Sequence, residues 1–324
     1  MEHALLPSRT SILVAAARAL GARDPDPSVR NPDWLAERFI GPEELALIQE
    51  HPIGAAITKG YFDATQDYQV VGLMVLMIVR TRYIDEHLET AVRNGATQVV
   101  ILGAGLDSRA YRFADLLQGV AVFELDAKPT QEYKMARVEA VLGKKPPNVV
   151  YAAIDFQSAG LMDVLRKAGY EPSQKTFFIW EGVSMYIPED SVRRTLRSIA
   201  QSAAGSSLVM DFASQSARDM LSGNAGIPFT QTLNTWGEPW VFGIPDNRER
   251  EFFCENGLEL IELAPMFGPE SMKRYLTRQD GSIVGLPRGV KEWKPPPELT
   301  SASIGAAVAA RNPRFYAIAE AIVP

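Results

Sequence analysis

The sequence predicts an α/β protein built on a doubly wound, mostly parallel sheet of seven strands, and three observations support this. Seven short apolar segments occur from residue 98 onward, separated by stretches with helical periodicity. Their apolar residues run continuously instead of alternating with polar ones, as in strands that are buried on both faces. A glycine-rich turn directly follows the first segment.

The segment ahead of the sheet, residues 1–79, is predicted to be a helical cap. The stretch SILVAAARAL favours a helix, and the prolines of ARDPDPSVRNPD end it. The longest apolar run, VVGLMVLMIV, is far short of the roughly 20 residues of a membrane span, so we interpret it as a buried helix. Helical periodicity continues through RTRYIDEHLETAVR and ends at Asn94-Gly95.

Residues 80–324 are predicted to form one sheet domain with insertions at about 213–257 and 264–312. The predicted strands are QVVIL (98–102), VAVFEL (120–125), VVYAAI (149–154), TFFIW (176–180), SLVMDF (207–212), LELIEL (258–263) and RFYAIAEAI (314–322). Helices are predicted between them, for example SRAYRFADLLQ and EDSVRRTLRSIAQSAA.

Composition and charge exclude several classes of partner. The net charge of −6 and the pI of about 5.3 give no attraction to phosphate backbones, so nucleic acid is not expected as a partner. Cys254 is the only cysteine, so the chain cannot form an internal disulfide. The N-terminus has no signal-peptide pattern, and we expect a cytoplasmic location. No membrane partner and no metal site are predicted.

The stretch VVILGAGLDSRAYRF, 99–113, is the first indication of a ligand. It joins a strand to a helix at the carboxyl edge of the sheet, where doubly wound folds bind ligands. It is not a P-loop, because no Lys-Ser or Lys-Thr follows the glycines. Gly103 and Gly105 fit the dinucleotide pattern Gly-x-Gly-x-x-Gly, but Ser108 stands at the third glycine position.

Acidic residues near this loop favour S-adenosylmethionine over a dinucleotide. Asp107 would repel a pyrophosphate at short range, whereas S-adenosylmethionine has no phosphate and carries a sulfonium and an ammonium. Asp126 ends the second strand about 20 residues beyond the loop, where a carboxylate can accept hydrogen bonds from both ribose hydroxyls. NAD would use the same group, and Asp107 is equally compatible with a helix N-cap, so a nicotinamide-dependent oxidoreductase stays the alternative.

Four motifs, in order, resemble the leucine carboxyl methyltransferase family: RTRYID, VVILGAGLDSRAYRF, VFELDAKPTQEYK and FIWEGVSMYI. The resemblance covers about residues 80–212 and extends more weakly to GEPWVFGIPDNREREFFCENGLEL. Within the family, the sequence is most similar to the bacterial branch that includes the tetracenomycin-type polyketide carboxyl methyltransferases. The resemblance implies an S-adenosyl-L-methionine-dependent, class I (Rossmann-like) methyltransferase fold, whose seven-stranded sheet has an antiparallel last strand.

The resemblance also implies roles for individual residues. The implied cofactor-binding residues are Arg82 at the ligand carboxylate; Gly103, Ala104 and Gly105 along the methionine portion; Asp126 at the ribose; Asp155 and Phe156 at the adenine; and Glu181 at the ammonium or near the transferring methyl group. The implied catalytic residues are Glu181 and Tyr186, the second of which would contact the substrate.

Three of these residues also have a purely structural interpretation. Arg82 could pair with Glu86 on the same helix. Phe156 could be an ordinary core aromatic, and Tyr186 could pack against the core with its hydroxyl in water.

Methyl transfer from a sulfonium is an in-line displacement, which needs alignment of the nucleophile and exclusion of water. A carboxylate acceptor needs no general base, and of the three histidines in the chain we interpret His87 as a solvated helix residue. We therefore predict O-methylation of a carboxylate or hydroxyl of a small molecule, in secondary metabolism.

The predicted cap and the insertion at 213–250 would close over the acceptor. Trp236, Trp240 and Phe242 would then form an apolar pocket for the acceptor or the insertion's own small core. Methylation of a protein C-terminal carboxylate and NAD(P)-dependent oxidoreduction are the alternative functions.

Overall fold

A computed structural model describes residues 7–223, 233–285 and 314–324. The strands are β1 Gln98–Leu102, β2 Ala121–Asp126, β3 Val149–Ala153, β4 Thr176–Trp180, β5 Ser207–Ala213, β6 Glu259–Pro265 and β7 Tyr316–Ile322. The helices of the described ranges are α1 Arg9–Ala22, α2 Ala36–Phe39, α3 Pro42–Gln49, α4 Pro52–Ile57, α5 Tyr61–Ala64, α6 Tyr68–Arg93, α7 Arg109–Arg112, α8 Lys128–Leu142, α9 Leu161–Lys167, α10 Glu189–Ile199, α11 Gln215–Gly223, α12 Glu249–Glu255 and α13 Pro269–Tyr275.

The strands form one sheet in the order β3-β2-β1-β4-β5-β7-β6. Strands β1 to β5 pair in parallel, whereas β7 is antiparallel to both β5 and β6. The strand order reverses between β1 and β4, so their carboxyl ends flank the crevice where such sheets bind ligands. The predicted sheet is confirmed, and each predicted strand ends within two residues of the observed one.

The parallel strands are buried on both faces, which explains their continuous apolar sequences. Side chains such as Val99 and Phe177 face the core that the sheet shares with α1 and α6. Their neighbours Val100 and Phe178 face a second core together with α9 and α10. Successive residues of a strand therefore pack against opposite helical layers.

The longest helix, α6, links the cap to the sheet. Asp67 caps its N-terminus by accepting a hydrogen bond from the Gln69 amide at 2.8 Å. The helix runs for 26 residues without a break through the predicted boundary between residues 79 and 80, and α1 packs against it. Cap and sheet thus share one helix, and the division of the chain into two domains stays a prediction.

The predicted helix over SRAYRFADLLQ is much shorter in the structure. Only α7 is helical, and separate turns follow it up to Gly119. The guanidiniums of Arg109 and Arg112 are both held by Asp85 of α6, at 2.7 and 2.8 Å. Buried ion pairs, and not helix propensity, therefore fix this segment.

The two predicted insertions are described only in part, because residues 224–232 and 286–313 lie outside the described ranges. The first contributes α11 and a parallel bridge between Ser214 and Ile244 beside β5. The second contributes α13, which packs against α6. Among the helices of the described ranges, none is both long and apolar enough to cross a bilayer.

Candidate functional site

A cavity of about 380 Å³ opens at the carboxyl ends of the parallel strands. Its walls come from the segments that follow β1 to β4, and the N-terminal half of α1 lies over it. The predicted site residues that line it are Gly103, Ala104, Gly105, Asp126, Asp155, Phe156, Glu181 and Tyr186. The fold thus brings together eight of the nine predicted site residues.

The glycine loop after β1 is built so that only glycine fits at Gly103. Its φ is +67°, and a Cβ added there would lie 2.2 Å from Cγ2 of Val183 in the segment after β4. Gly105 also has a positive φ, of +42°. The bare backbone therefore forms part of the cavity wall, where a ligand can approach it closely.

Asp126, at the end of β2, is held by two backbone amides. Its Oδ2 accepts a hydrogen bond from the Gly105 amide at 2.5 Å, and its Oδ1 accepts one from the Ala127 amide at 2.7 Å. Burial raises the pKa of the Asp126 carboxyl, and these two bonds oppose the rise. The loop and the carboxylate are thereby fixed relative to each other.

Asp155 and Phe156, after β3, differ in burial. Asp155 is exposed and accepts hydrogen bonds from the Gln157 amide at 2.9 Å and the Ser158 hydroxyl at 2.7 Å. These bonds lower the pKa of its carboxyl. Phe156 is buried, with its ring 6.2 Å from the ring of Trp180. Phe156 therefore serves the core as well as the cavity wall.

Glu181, at the end of β4, lies among three arginines. Its Oε2 accepts a hydrogen bond from Arg109 at 2.6 Å, and its Oε1 is 2.8 Å from Arg80 Nε and 3.8 Å from Arg18 Nη1. Burial opposes ionisation, but the three guanidiniums hold the pKa of Glu181 well below its ordinary value. Glu181 Oε1 and the Nε atoms of Arg18 and Arg80 are buried and make no hydrogen bond of good geometry within the described ranges. All three atoms are ion-paired, because Arg80 Nε faces Glu181 Oε1 and Arg18 Nε lies 2.9 Å from Oδ2 of Asp33. This end of the cavity is therefore lined by charged groups.

Arg82 is the predicted site residue that does not reach the cavity. Its guanidinium donates to the backbone carbonyl of Arg30 at 2.8 and 3.0 Å, while Glu86 pairs with Arg274. Arg80 lines the cavity instead. A separation of two residues along a helix corresponds to a rotation of about 200°, so the two arginines of RTRYID point in nearly opposite directions. The prediction for Arg82 is corrected in this respect, and its proposed pairing with Glu86 is not observed.

The sequence held a signal for Arg80 that the motif comparison overlooked. Arg80 lies four residues before Ile84 and eight before Leu88, both of which are completely buried. That spacing puts Arg80 on the buried face of α6. Arg18 had no comparable signal, because α1 is buried on most of its circumference.

Asp107 is neutralised by its neighbour, which weakens the argument against a dinucleotide. Its Oδ1 accepts a hydrogen bond from the Arg109 amide at 2.7 Å, and its other oxygen pairs with the guanidinium of Arg109. The N-cap of α7 is Ser108 and not Asp107, although Asp107 does bind the first amide of that helix. Glu124, on the same face of β2 as Asp126, pairs with Lys134 at 2.8 Å.

Tyr186 lines the cavity beneath the cap, near Thr10 and Glu238. The Thr10 amide donates a hydrogen bond to Glu238 at 3.3 Å, which joins α1 to the first insertion. Burial raises the pKa of the Tyr186 hydroxyl to about 12. Tyr186 therefore offers a neutral hydroxyl to whatever fills this end of the cavity.

The aromatic residues of the insertion pack against the protein itself. The ring centroid of Trp236 lies 5.9 Å from that of His51, and the ring centroid of Trp240 lies 5.8 Å from that of Tyr316. Phe242 is buried. None of the three aromatics lines the cavity in the part of the chain described. They pack against the two main cores, so they form neither the predicted acceptor pocket nor a separate core of the insertion. His87 is not solvated as predicted, because its ring stacks on Tyr83 with centroids 4.0 Å apart.

Comparison with known proteins identifies related sequences. Residues 11–200 match the family model described as leucine carboxyl methyltransferase. A relative from Mycolicibacterium smegmatis is 33% identical over 207 residues, which cover 62% of this chain and 62% of the relative. One from Mycobacteroides abscessus is 35% identical over 208 residues, covering 62% and 64%. Both carry the provisional name S-adenosyl-L-methionine-dependent methyltransferase, and the alignments span less than two thirds of their lengths.

A crystal structure of a DUF574 family protein from Streptomyces avermitilis is similar in fold. The TM-score is 0.50 at 16% identity, over 81% of this chain and 88% of that chain. At this identity the likeness concerns the fold alone. Together with the strand order and the family match, it confirms the predicted class I methyltransferase fold. The relatives' names agree with the predicted cofactor.

Proposed function

Because the chain belongs to the leucine carboxyl methyltransferase family, we propose that it transfers a methyl group from S-adenosylmethionine to an oxygen of a small molecule. The acceptor is a carboxylate or hydroxyl, and the product is a methyl ester or ether of secondary metabolism. The observation that carries the proposal is that the glycine loop, Asp126 and Glu181 line one cavity. The tetracenomycin-type branch and the cytoplasmic location stay predictions.

The cavity's polar groups fit this methyl donor. The guanidiniums of Arg18 and Arg80 line the cavity and suit the donor's carboxylate, and the Glu181 carboxylate suits its ammonium. Burying those ligand charges without such partners would cost several kcal/mol, on the order of the penalty for an unpaired buried polar group. When bound, S-adenosylmethionine supplies an electrophilic methyl group on a sulfonium.

The remaining residues would position the donor. Asp126 would accept hydrogen bonds from the ribose hydroxyls, and Asp155 and Phe156 would contact the adenine. The open backbone at Gly103 would let the methionine portion lie against the loop. Arg109 would act indirectly, because its hydrogen bond to Glu181 holds that carboxylate in place.

The acceptor would bind beneath α1, beside Tyr186. Neither His51 nor His87, the two described histidines, lines the cavity, which favours an acceptor that is already ionised. A carboxylate meets this condition at neutral pH. Glu238 lines the same end of the cavity, and it could take the proton of a hydroxyl acceptor. This placement keeps both acceptor classes in the proposal.

Isothermal titration with S-adenosylmethionine, S-adenosylhomocysteine and NAD tests the donor. We expect micromolar binding of the first two and no binding of NAD. Asp126→Asn should weaken binding about tenfold or more, because a hydrogen bond to a charged group contributes about 1.5–3 kcal/mol. Asp163→Asn, an exposed aspartate on α9, is the matched control and should bind normally. Binding of NAD alone would overturn the proposal.

Incubation with donor labelled in the methyl group tests the acceptor class. Small carboxylates and phenols should yield labelled esters or ethers, while amines and peptides with a free C-terminus should not. Labelling of an amine in place of every oxygen acceptor would contradict O-methylation. Labelling of a peptide C-terminus would select the alternative acceptor, a protein carboxylate.

A further inference from the structure

A second group of polar side chains lies between α6 and the antiparallel edge of the sheet, away from the cavity. Nε2 of His87 is 3.4 Å from Oε2 of Glu262 on β6 and 3.5 Å from Oε2 of Glu320 on β7. One potential ligand atom from each residue lies within 4.8 Å of the other two. The proposed methyl transfer uses none of these residues.

The two carboxylates are directly opposite each other in the β6–β7 register. Like charges at opposing positions of neighbouring strands destabilise a sheet. An irregularity between Leu260 and Glu262 shifts the register, and without it Ile261 would stand opposite Glu320. Neither carboxylate has an arginine or lysine within ion-pair distance in the described part of the chain. The arrangement therefore concentrates negative charge at one point.

His87 presents a nitrogen suited to a metal. Its Nδ1 is 2.7 Å from the backbone oxygen of Tyr83, so that in the neutral ring Nδ1 donates this bond and Nε2 faces the glutamates with its lone pair. Metal-binding histidines are usually fixed by such a bond from the second nitrogen. Stacking on the Tyr83 ring further restricts rotation of the imidazole.

Tyr83 places a further buried polar group beside the two carboxylates. The residue is only 1% exposed, and its hydroxyl makes no hydrogen bond of good geometry within the described ranges. The hydroxyl interacts with the Glu262 carboxylate, so a third polar group faces the carboxylate pair.

The distances suit a shared cation better than a proton. A charge-assisted N–H···O bond measures about 2.7–2.9 Å, shorter than both distances from His87. Donor atoms about 2.1 Å from one tetrahedral ion lie about 3.4 Å apart. One imidazole and two carboxylates suit zinc and its first-row neighbours, whereas magnesium and calcium prefer oxygen ligands alone.

We propose that His87, Glu262 and Glu320 bind a first-row divalent cation such as Zn²⁺. The ion would neutralise the opposed carboxylates and fasten α6 to the antiparallel strands. His87 lies seven residues after Arg80, two helical turns along nearly the same face, or about 10 Å. The site would therefore stiffen the helix that carries Arg80. The sequence predicted no metal site, because the three ligands are separated by more than 50 residues at every step.

Zinc titration of the chelator-treated protein at neutral pH tests this proposal. We expect one tight site per chain, and affinity lower by about 100-fold or more in His87→Gln and in Glu262→Gln, since even losing an outer partner of a metal ligand costs 10–100-fold. His51→Gln is the matched control, because His51 belongs to no cluster of metal-ligating groups among the described residues. Binding of S-adenosylhomocysteine would show that each variant is folded.

Cobalt(II) provides a second readout that a structural role of His87 would not mimic. The wild type should develop the visible absorption of a tetrahedral cobalt centre, and Glu262→Gln, whose side chain is the most exposed of the three, should lose it. Zinc binding that is equal in wild type and His87→Gln would overturn the proposal. So would the absence of any tight zinc site in the wild type, which would mean that His87 carries a proton between the two glutamates.

Discussion

Replacing Gly103 with alanine would test how closely the glycine loop approaches the segment after β4. The new Cβ would lie 2.2 Å from Val183 Cγ2, on a residue whose φ is +67°. A left-handed backbone costs an L-residue about 1–2 kcal/mol, and overpacking typically costs about 1–3 kcal/mol more. We therefore expect Gly103→Ala to lower the free energy of unfolding by about 2–5 kcal/mol in urea denaturation.

Gly119→Ala is the matched control, because Gly119 has φ +77° and no atom within 4 Å of an added Cβ. It should lose only the backbone cost of about 1–2 kcal/mol. Val183→Ala removes Cγ2 and leaves the Val183 Cβ 3.4 Å away. Combined with Gly103→Ala, it should recover about 1–3 kcal/mol relative to additivity. Equal losses for the two glycine variants, or strict additivity with Val183→Ala, would refute the close approach.

Three further outcomes are expected. Arg80→Lys should weaken binding of S-adenosylhomocysteine about tenfold, because an ammonium cannot replace a guanidinium fork. Arg82→Lys, the control, should change the dissociation constant by less than about a factor of two. Similar losses in both variants would contradict the assignment of Arg80 to the cavity. Lys134→Met leaves the buried Glu124 without its cationic partner and with only the hydrogen bond from the Tyr111 hydroxyl. It should cost about 3–5 kcal/mol in denaturation, partly recovered by adding Glu124→Gln. The absence of any recovery would argue against a paired charge. Because burial raises the pKa of Tyr186 to about 12, its hydroxyl stays protonated below that pH. The methyl-transfer rates of wild type and Tyr186→Phe should therefore have the same pH dependence between about pH 6 and 10. An ionisation seen in wild type and lost in Tyr186→Phe would contradict this expectation.

The sheet could be predicted because the residue types of its strands reflect how deeply the strands are buried. Strands such as QVVIL and TFFIW are buried at every position, so hydrophobicity alone marks them. The cavity's glycine loop and Asp126 could be predicted for a related reason. The carboxyl ends of parallel strands meet at one edge, so residues that follow different strands converge there.

The buried charges could not be predicted in the same way. Asp85 is a charged residue of α6, of a type that is usually exposed, yet it is only 6% exposed and holds Arg109 and Arg112. The sequence does not show whether a carboxylate is hydrated or ion-paired with a guanidinium. Only the three-dimensional fold shows which, because the partners come from α7, 24 and 27 residues further along.

The unbroken course of α6 limits how relatives could be recombined. The helix extends for about 39 Å, from its cap at Asp67 to the sheet, with Arg80 near its middle. A chimaera joined at residue 79 would splice two different helices beside that arginine and leave their faces mismatched. A junction ahead of Asp67 would transplant α1 to α5 and leave the whole helix with its own sheet. Acceptor preference, if the cap sets it, could then be exchanged between family members at that position.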